Sequence, residues 1–454
     1  MKYINYSNKN QYTVVIMFPT IRSIFINDDK NSFTCVFPSL YSIFSINPFK
    51  VLYSKSLKPK NITVGSAATC CGWRFLALTG LPADPYFDMR SVLVRDHAKL
   101  ASVTNENENE NNQGKDDCID IFSHAFNQNI LSLRITPDFL ICGFFNHVEV
   151  WQISRSEQIG LIKHGINIHA PLCNSSDFMA FACTGTTPLE LSFLQFQLKV
   201  DNGNFLDSVN STNNDVQVCI NRTVKAADDP ITIVKFSQDN QLLALTCTTG
   251  YAIQVLRTDT CSVIAKFKRG RTATVIYSMD FSPNCDFLCA ITQKSTLHFF
   301  DLRKVLKSHQ IQPKPALVES KFTGIFNNIS NPIYETEVEI DVDGVDFNPN
   351  ITKKAPRLSN SLMPKSMPSN MQNPVDKVKI GSEKVVFSKS SYKISLDEFQ
   401  SISSLTWFEK NQIAIVSHDG KLLLITVDED NCNEIGREVI FYKNYIQDTL
   451  YANA

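Results

Sequence analysis

The sequence has almost no excess of charge of either sign. Its 44 lysine and arginine residues are balanced by 45 aspartate and glutamate residues, which gives a formal net charge of −1. The chain as a whole therefore has no general electrostatic attraction to nucleic acid or to an anionic membrane. Any site for an anion has to be formed by a local cluster of basic residues.

A long apolar run and an ordered cysteine pattern are also missing. No stretch approaches the roughly 18 apolar residues of a membrane-spanning helix, and Pro19 and Arg22 interrupt the apolar start, which has no small-residue cleavage site. The 13 cysteines include no Cys-x-x-Cys pair and no Cys/His spacing typical of a zinc site. These absences predict a cytoplasmic protein with reduced thiols and without a metal or other cofactor.

The sequence contains no motif of the common enzyme classes. We find no nucleophile elbow, no P-loop and no metalloprotease motif. This predicts a protein that is not an enzyme. An enzyme stays open as a third alternative, because some folds host chemistry without a local motif.

A repeated pattern of short strands runs through the chain. In each copy an apolar strand leads through a polar turn to a second strand, and often to a third that alternates apolar and polar residues. About seven such units, near the roughly 40–45-residue period of WD-type blades, predict a single all-β, seven-bladed propeller over residues 1–454. Two unrelated β domains are the alternative. Clear copies lie at 21–49, 130–153, 230–258, 275–302 and 402–428, and weaker ones at 69–96 and 165–198.

Three segments do not fit this pattern. Residues 104–117, "TNENENENNQGKDD", are polar and of low complexity, which predicts a disordered loop. Residues 200–228 are a milder case. Residues 303–387 form a long, proline-rich insertion after the copy at 275–302, and a loop of that length is usually functional or disordered.

One window of this insertion has apolar residues at helical spacing. In 319–332 they occur at i, i+3, i+4 and i+7 and would form one face of a helix that ends at Pro332. We predict that this segment folds on contact with lipid. The alternative is a segment that packs back on the propeller, or a disordered loop with chance spacing. The four residues are Phe322, Ile325, Phe326 and Ile329.

Four cations fall within six positions between the two clearest copies. They occur in "KFKRGR" (266–271), where one predicted blade meets the next at an exposed junction. Because adjacent side chains of an extended segment point to opposite sides, Lys268 and Arg269 could serve two different pockets. Gly270 would allow a tight turn after them. The alternative is a solvated turn with incidental charges.

"FKRG" (267–270), followed by "IYSMDFSPNCDFLCAITQKSTLHFFDL" (276–302), closely resembles the signature of the PROPPIN family. Further segments resemble other blades of that family in the same order: "YSIFSINPFKVLYSK" (41–55), "WRFLALTG" (73–80) and "HDGKLLLITVD" (418–428). These are WD-repeat proteins that bind phosphoinositides in autophagy and endolysosomal trafficking. The resemblance implies a seven-bladed propeller with two headgroup pockets on the rim of blades five and six.

In the family, the second basic residue of the motif serves one of these pockets. Here that residue is Arg269, with Arg271 nearby. Thr296 and His298 match the family's Thr-x-His, and Thr292 stands where it has serine. The resemblance therefore implies that Arg269 has a well-kept pocket, which we expect to provide most of the affinity. The alternative for His298 is a buried, satisfied histidine.

The pocket of the first basic residue departs from the family pattern. Lys268 replaces arginine, which turns a forked donor into a point charge. Cys247 stands where the family has serine, Tyr251 where it has threonine, and Ala227 or Asp228 where it has a histidine. The resemblance thus implies that this pocket is the weaker one.

The resemblance implies a non-enzymatic effector that recruits autophagy or trafficking proteins to membranes. Its ligand would be phosphatidylinositol 3-phosphate, with phosphatidylinositol 3,5-bisphosphate as a second candidate and no role for nucleic acid. The protein would be cytoplasmic and would associate peripherally with phagophore, endosomal or vacuolar membranes. The long insertion corresponds to a blade-six loop that dips into the bilayer. The main alternative is a scaffold that binds only proteins and whose lipid pockets have decayed.

Overall fold

Short strands joined by tight turns make up most of the structure. It is a computed structural model, and it describes residues 20–57, 62–82, 84–97, 118–198, 216–312, 385–396, 402–442 and 445. Within these ranges there are 29 strands. Of the helices in the described ranges, none is both long and apolar enough to cross a membrane.

Seven sheets follow one another along the chain, and each is a blade with four antiparallel strands. Blade one holds β1 (Ser23–Ile26), β2 (Ser32–Phe37), β3 (Leu40–Ser45) and β4 (Lys50–Ser56). Blade two holds β5 (Val64–Cys70), β6 (Phe75–Gly80), β7 (Ser91–Asp96) and β8 (Ile119–Ala125). Blade three holds β9 (Ser132–Ile135), β10 (Phe139–Gly143), β11 (His147–Gln152) and β12 (Glu157–Lys163).

The remaining blades have the same order of strands. Blade four holds β13 (Cys173–Asn174), β14 (Ala180–Thr184), β15 (Glu190–Leu198) and β16 (Val216–Lys225). Blade five begins with β17 (Ile231–Phe236), β18 (Leu242–Cys247), β19 (Ala252–Arg257) and β20 (Val263–Lys268). Blade six begins with β21 (Ile276–Phe281), β22 (Phe287–Thr292) and β23 (Thr296–Asp301). Blade seven holds β26 (Ile402–Glu409), β27 (Gln412–Ser417), β28 (Leu422–Val427) and β29 (Glu434–Ile440).

The first strands of the blades contact one another around the centre of the ring. Strand β1 contacts β5, β17 contacts both β13 and β21, and β26 contacts β21. Because β26 also contacts β1, the last blade packs against the first and closes the ring. Phe33 of blade one shares an apolar cluster with Ala414 of blade seven. The predicted all-β, seven-bladed propeller is confirmed.

The core lies between the blades, so the middle strands are buried on both faces. Strand β22, "FLCAIT", is buried along its whole length. Its alternate residues Leu288 and Ala290 pack into a cluster with blade five, whereas Cys289 and Ile291 pack into a cluster with blade seven. Since successive side chains point to opposite faces, a strand between two blades needs an almost continuous apolar run.

The residues after the long insertion complete two blades. Strand β24 (Val386–Lys389) pairs in parallel with β20 and adds a fifth strand to blade five. Strand β25 (Tyr392–Ser395) pairs antiparallel with β23 and becomes the fourth strand of blade six. The repeated sequence pattern does not predict these two outer strands.

Two of the segments set apart from the blades are partly structured. The interpretation of 200–228 as a poor fit to a blade is wrong for β16, which pairs with β15 over its whole length. At the start of the 303–387 insertion, helix α1 (Arg303–Ser308) buries Val305 and Leu306. Residues 104–117 and 313–384 lie outside the described residues, and so do Phe322, Ile325, Phe326 and Ile329.

Candidate functional site

The basic segment continues the outer strand β20 of blade five, where its side chains alternate between two sides. Phe267 is buried in the apolar cluster between blades five and six. Lys266, its neighbour, lies on the other side, with Nζ 3.9 Å from a carboxylate oxygen of Asp228. The strand ends at Lys268, which is exposed. Arg269 follows directly, so the two central cations leave the strand in different environments.

Arg269 is buried, with only 6% of its surface exposed. Its backbone N–H donates to the carbonyl of Tyr251 at 2.8 Å, and its Nε donates to the carbonyl of Gly250 at 3.0 Å. Nη2 donates to the carbonyl of Thr272. Burial lowers the pKa of the guanidinium. The expectation that both cations lie at an exposed junction is therefore wrong for Arg269, whose guanidinium is held in place by backbone carbonyls.

The turn that holds this guanidinium depends on Gly250 rather than on Gly270. Gly250 has φ +56°, and a Cβ there would lie 2.0 Å from the carbonyl oxygen of Thr274. Gly270 does not have a positive φ, and a Cβ there would meet nothing within 4 Å. The tight turn that Gly270 was expected to allow does not use the left-handed backbone conformation of glycine. Since L-residues pay a steric cost in the left-handed region, position 250 is where glycine is required.

Blade six contributes two threonines from the hairpin between β22 and β23. Thr292 and Thr296 face each other across this hairpin. The Thr292 hydroxyl donates to the carbonyl of Thr296 at 3.3 Å, and the Thr296 hydroxyl donates to the carbonyl of Lys294 at 3.2 Å. A hydroxyl has one hydrogen to donate, so these groups would have to rotate before they could donate to a phosphate.

His298 lies next to this hairpin and is 4% exposed. Burial, together with the nearby charges of Lys393 and Arg269, lowers the pKa of His298 to about 4. Its Nδ1 is buried without a hydrogen-bond partner among the described residues. His298 is thus neutral near pH 7 and would gain charge only around pH 4. It is buried, as the alternative interpretation expected, but one of its ring nitrogens is unsatisfied.

Two cations near the hairpin were not predicted from the sequence. Lys393 of β25 lies directly across from His298 in the strand pairing. Lys294 reaches Thr272, with 3.3 Å between Nζ and the hydroxyl oxygen. Lys294 lies inside the motif-bearing copy and could have been noticed. Lys393 follows the long insertion, and only the pairing of β25 with β23 brings it here.

Four cations lie on the side of Arg269, and none of them forms an ion pair with a carboxylate among the described residues. In the described part of the chain, no carboxylate oxygen lies within 4 Å of a charged nitrogen of its four cations. Such a cluster, beside a buried imidazole with an unsatisfied nitrogen, is a chemically suitable seat for a phosphate. The four cations are Arg269, Arg271, Lys294 and Lys393.

The side of Lys268 is different. Cys247 ends β18, and burial raises the pKa of its thiol to about 11, so it stays protonated. Asp229 accepts a hydrogen bond from Thr249 at 2.9 Å, and Asp228 lies near Lys266. Tyr251 is 42% exposed. Two carboxylates and a weakly donating thiol make this side less favourable for an anion than the side of Arg269.

The described residues contain no group of three or more histidine, cysteine, aspartate or glutamate side chains that could hold a metal ion.

Several curated proteins are similar to this chain in sequence. SVP1-like protein 2 of Saccharomyces cerevisiae is 20% identical over 303 residues, which are 63% of this chain and 63% of that protein. The protein of the same name from Emericella nidulans is 20% identical over 50% of this chain and 60% of its own length. Autophagy-related protein 18 of Eremothecium gossypii is 36% identical over 81 residues, or 18% of this chain and 15% of that protein. The chain thus matches less than two thirds of the length of these relatives.

Solved structures share the fold at low identity. Hsv2 of Kluyveromyces lactis is 13% identical, with a TM-score of 0.58 over 92% of this chain and 99% of that chain. A structure titled as a complex of KlAtg21 with the coiled coil of AgAtg16 is also 13% identical, with a TM-score of 0.55 over 93% and 99% of the two chains. Comparison with protein-family models gives no match. The chain is thus similar in sequence to proteins named SVP1-like protein 2 and Autophagy-related protein 18 and shares the propeller of the Hsv2 structures, which agrees with the expected resemblance to the PROPPIN family.

Proposed function

We propose that the chain binds the headgroup of phosphatidylinositol 3-phosphate on the rim between blades five and six. The carrying observation is the positive cluster around Arg269 and His298, whose cations form no ion pair within 4 Å among the described residues and whose imidazole has an unsatisfied nitrogen. A phosphomonoester needs cations and hydrogen-bond donors that converge on its oxygens, and a held guanidinium offers two parallel donors. A neutral imidazole adds one donor.

The role that we propose is recruitment of autophagy or trafficking proteins to a phosphoinositide-bearing membrane, without catalysis. One curated relative is named Autophagy-related protein 18, and one structural neighbour is titled as a complex with a coiled coil. These names support a membrane effector with protein partners. The protein would associate peripherally with phagophore, endosomal or vacuolar membranes.

A second headgroup would have to be bound on the side of Lys268. There, the carboxylates Asp228 and Asp229 oppose an anion, and the thiol of Cys247 is only a weak donor. We therefore propose that the side of Lys268 adds less to headgroup binding than the side of Arg269. The same observation favours the competing function, a scaffold that binds only proteins.

We propose that residues Phe322, Ile325, Phe326 and Ile329 of the insertion enter the bilayer once the headgroup is bound. The insertion starts after α1 and returns to the blades at β24 and β25, which places both of its ends at blades five and six. It therefore leaves and rejoins the propeller at the blades that carry the candidate headgroup site.

Flotation with a panel of liposomes separates the two functions. Vesicles of one neutral lipid composition would contain the 3-phosphate, the 3,5-bisphosphate, the 4-phosphate or no phosphoinositide. We expect flotation with the 3-phosphate and none with the 4-phosphate or the neutral vesicles. Recovery from none of the vesicles would favour the protein-only scaffold, and equal recovery from all four would contradict recognition of the headgroup.

A further inference from the structure

A cavity at the centre of the ring contains charged side chains that the rim site does not use. Its volume is about 670 Å³, and it is lined by the first strands of several blades. Three cations line its wall, and Asp280 lies beside two of them. The cations are Lys30, Arg134 and Lys235. Volumes of this order are typical of sites for small molecules.

Asp280 is fully buried and is shared by two of these cations. Its carboxylate lies 2.9 Å from Nζ of Lys30 and 3.5 Å from Nζ of Lys235. It also accepts hydrogen bonds from the backbone N–H of Trp407 at 3.0 Å and from the hydroxyl of Thr406 at 3.2 Å. The surrounding cations hold the pKa of this carboxyl below its usual range despite burial. A single carboxylate therefore forms ion pairs with two ammonium groups.

Arg134 of β9 has no such partner. Among the described residues no carboxylate lies within 4 Å of it, and the hydrogen bond of Nη1 to the carbonyl of Leu133, at 2.7 Å, is the only one that its guanidinium makes there. The guanidinium lies 5.6 Å from the centre of the Phe25 ring. Burial lowers its pKa, and its charge opposes that of the neighbouring Lys235. A guanidinium with five donors is thus left largely unpaired.

Other titratable groups also line the cavity, and the carboxylates among them are engaged elsewhere. Asp28 accepts hydrogen bonds from the backbone N–H groups of Cys71 and Gly72, both at 2.8 Å. Asp29 accepts from the backbone N–H of Ser32 at 3.0 Å. Burial raises the pKa of Asp28 to about 6 and also raises that of Asp29. Both belong to blade one, whereas Arg134 and Lys235 belong to blades three and five.

His169 and Cys173 also line the wall, and neither side chain carries a carboxylate.

We propose that this central cavity binds a small, soluble phosphate-bearing anion through Arg134 and Lys235. Arg134 and Lys235 are both half-buried and line the cavity, so the donors of Arg134 that have no protein partner face a space that an anion could occupy. The guanidinium fork matches two oxygens of a phosphate, and the ammonium group adds a third contact. Because Arg134 is on an innermost strand and Arg269 follows an outer one, this site is separate from the rim site and does not depend on the proposed lipid function.

Thermal unfolding of the full chain with inorganic pyrophosphate tests this inference. Three proteins are compared: the parent, Arg134→Gln, and the rim variant Lys268→Thr/Arg269→Thr. Sodium chloride at equal ionic strength is the control salt. We expect pyrophosphate to raise the Tm of the rim variant, in which only the cavity is left to bind it, and to raise the Tm of Arg134→Gln less than that of the parent, because a ligand of the folded state stabilises it.

Three results would overturn the inference. They are an equal rise with sodium chloride, the absence of a rise in the parent, and a rise that disappears in the rim variant but persists in Arg134→Gln. If Arg134→Gln does not fold, Arg134→Lys is measured instead, since it keeps the charge but loses the fork. A smaller rise in that variant supports the site, and an unchanged rise contradicts the role of Arg134.

Discussion

At the scale of single residues, Lys268 and Arg269 differ in how far they are prepared for a ligand. The Arg269 guanidinium already donates to the carbonyls of Gly250 and Thr272 and has little freedom left to lose. Lys268 is an exposed ammonium on a flexible stem. Ordering a flexible side chain on binding costs affinity, so adjacent cations of equal charge are not equivalent.

Arg269→Ala should therefore weaken liposome binding much more than Lys268→Ala. A hydrogen bond to a charged group contributes about 1.5–3 kcal/mol, which is roughly a tenfold loss or more. In a protein with two sites, losing the weaker one mainly reduces avidity. Calorimetry with soluble inositol 1,3-bisphosphate should give a stoichiometry nearer one than two. Equal effects of the two variants, or the opposite order, would show that the pockets have been ranked wrongly.

Gly250 provides a second test at this scale. Gly250→Ala should destabilise the propeller by about 1–2 kcal/mol from backbone strain alone, and by more because its Cβ would meet the carbonyl of Thr274. Gly270→Ala is the matched control and should leave the free energy of unfolding nearly unchanged, since its Cβ meets nothing within 4 Å. Urea denaturation of the two variants measures the difference. Similar losses at both positions would mean that the turn is not held as described.

At the scale of elements, the strands that follow the insertion extend the site. Strand β25 places Lys393 opposite His298, and β24 places Lys389 opposite Lys268. The repeated sequence pattern predicts the strands that carry the motif, because the alternation of apolar and polar residues is visible within each of these strands. It does not predict β24 or β25, since each is four residues long and is defined by a partner strand far away in the sequence. A cation on such a strand cannot be assigned to a pocket before the pairing is known.

Lys393→Gln should weaken binding of the soluble headgroup several-fold, because it removes a charge beside His298. It should also raise the pKa of His298, since the repulsion from Lys393 is lost. Lys307→Gln on α1 removes an exposed cation elsewhere in the chain and is the matched control. Calorimetry gives the affinities, and the imidazole resonances as a function of pH give the pKa. The hypothesis fails if both variants bind like the parent.

The proposed membrane segment is also tested at this scale. Phe322→Asp/Phe326→Asp should reduce liposome flotation while leaving the affinity for soluble headgroup unchanged. Burying two phenylalanine side chains contributes about 3–5 kcal/mol at roughly 25 cal/mol per Å². Ile435→Asp, an exposed apolar residue of blade seven, is the control and should change neither assay. Equal losses of flotation and of headgroup affinity would place the segment in the propeller core instead.

At the scale of the whole molecule, seven similar blades make a closed ring, and the candidate site is confined to one part of its rim. The repeat of strands and polar turns was enough to predict the ring, because each blade is built from local hairpins and buries its faces against its neighbours. The burial of individual side chains could not be predicted from this repeat. Arg269 and His298 lie in a segment with ordinary alternation, and only the packing of blade five against blade six shows that both are almost fully enclosed.

The near-neutral net charge limits how the protein could bind to a membrane. With no general attraction to anionic surfaces, membrane association has to depend on the rim cluster and on the proposed insertion. We therefore expect a few residues at one blade junction to decide whether the protein binds a membrane at all.

Flotation of Lys268→Thr/Arg269→Thr with liposomes that contain phosphatidylinositol 3-phosphate tests this claim most directly. Lys304→Thr/Lys307→Thr, which changes two exposed cations of α1, is the matched control, and thermal unfolding checks that both variants remain folded. We predict that the rim variant stays with the protein that does not float, whereas the control variant floats like the parent. A folded rim variant that floats as well as the parent would contradict the account.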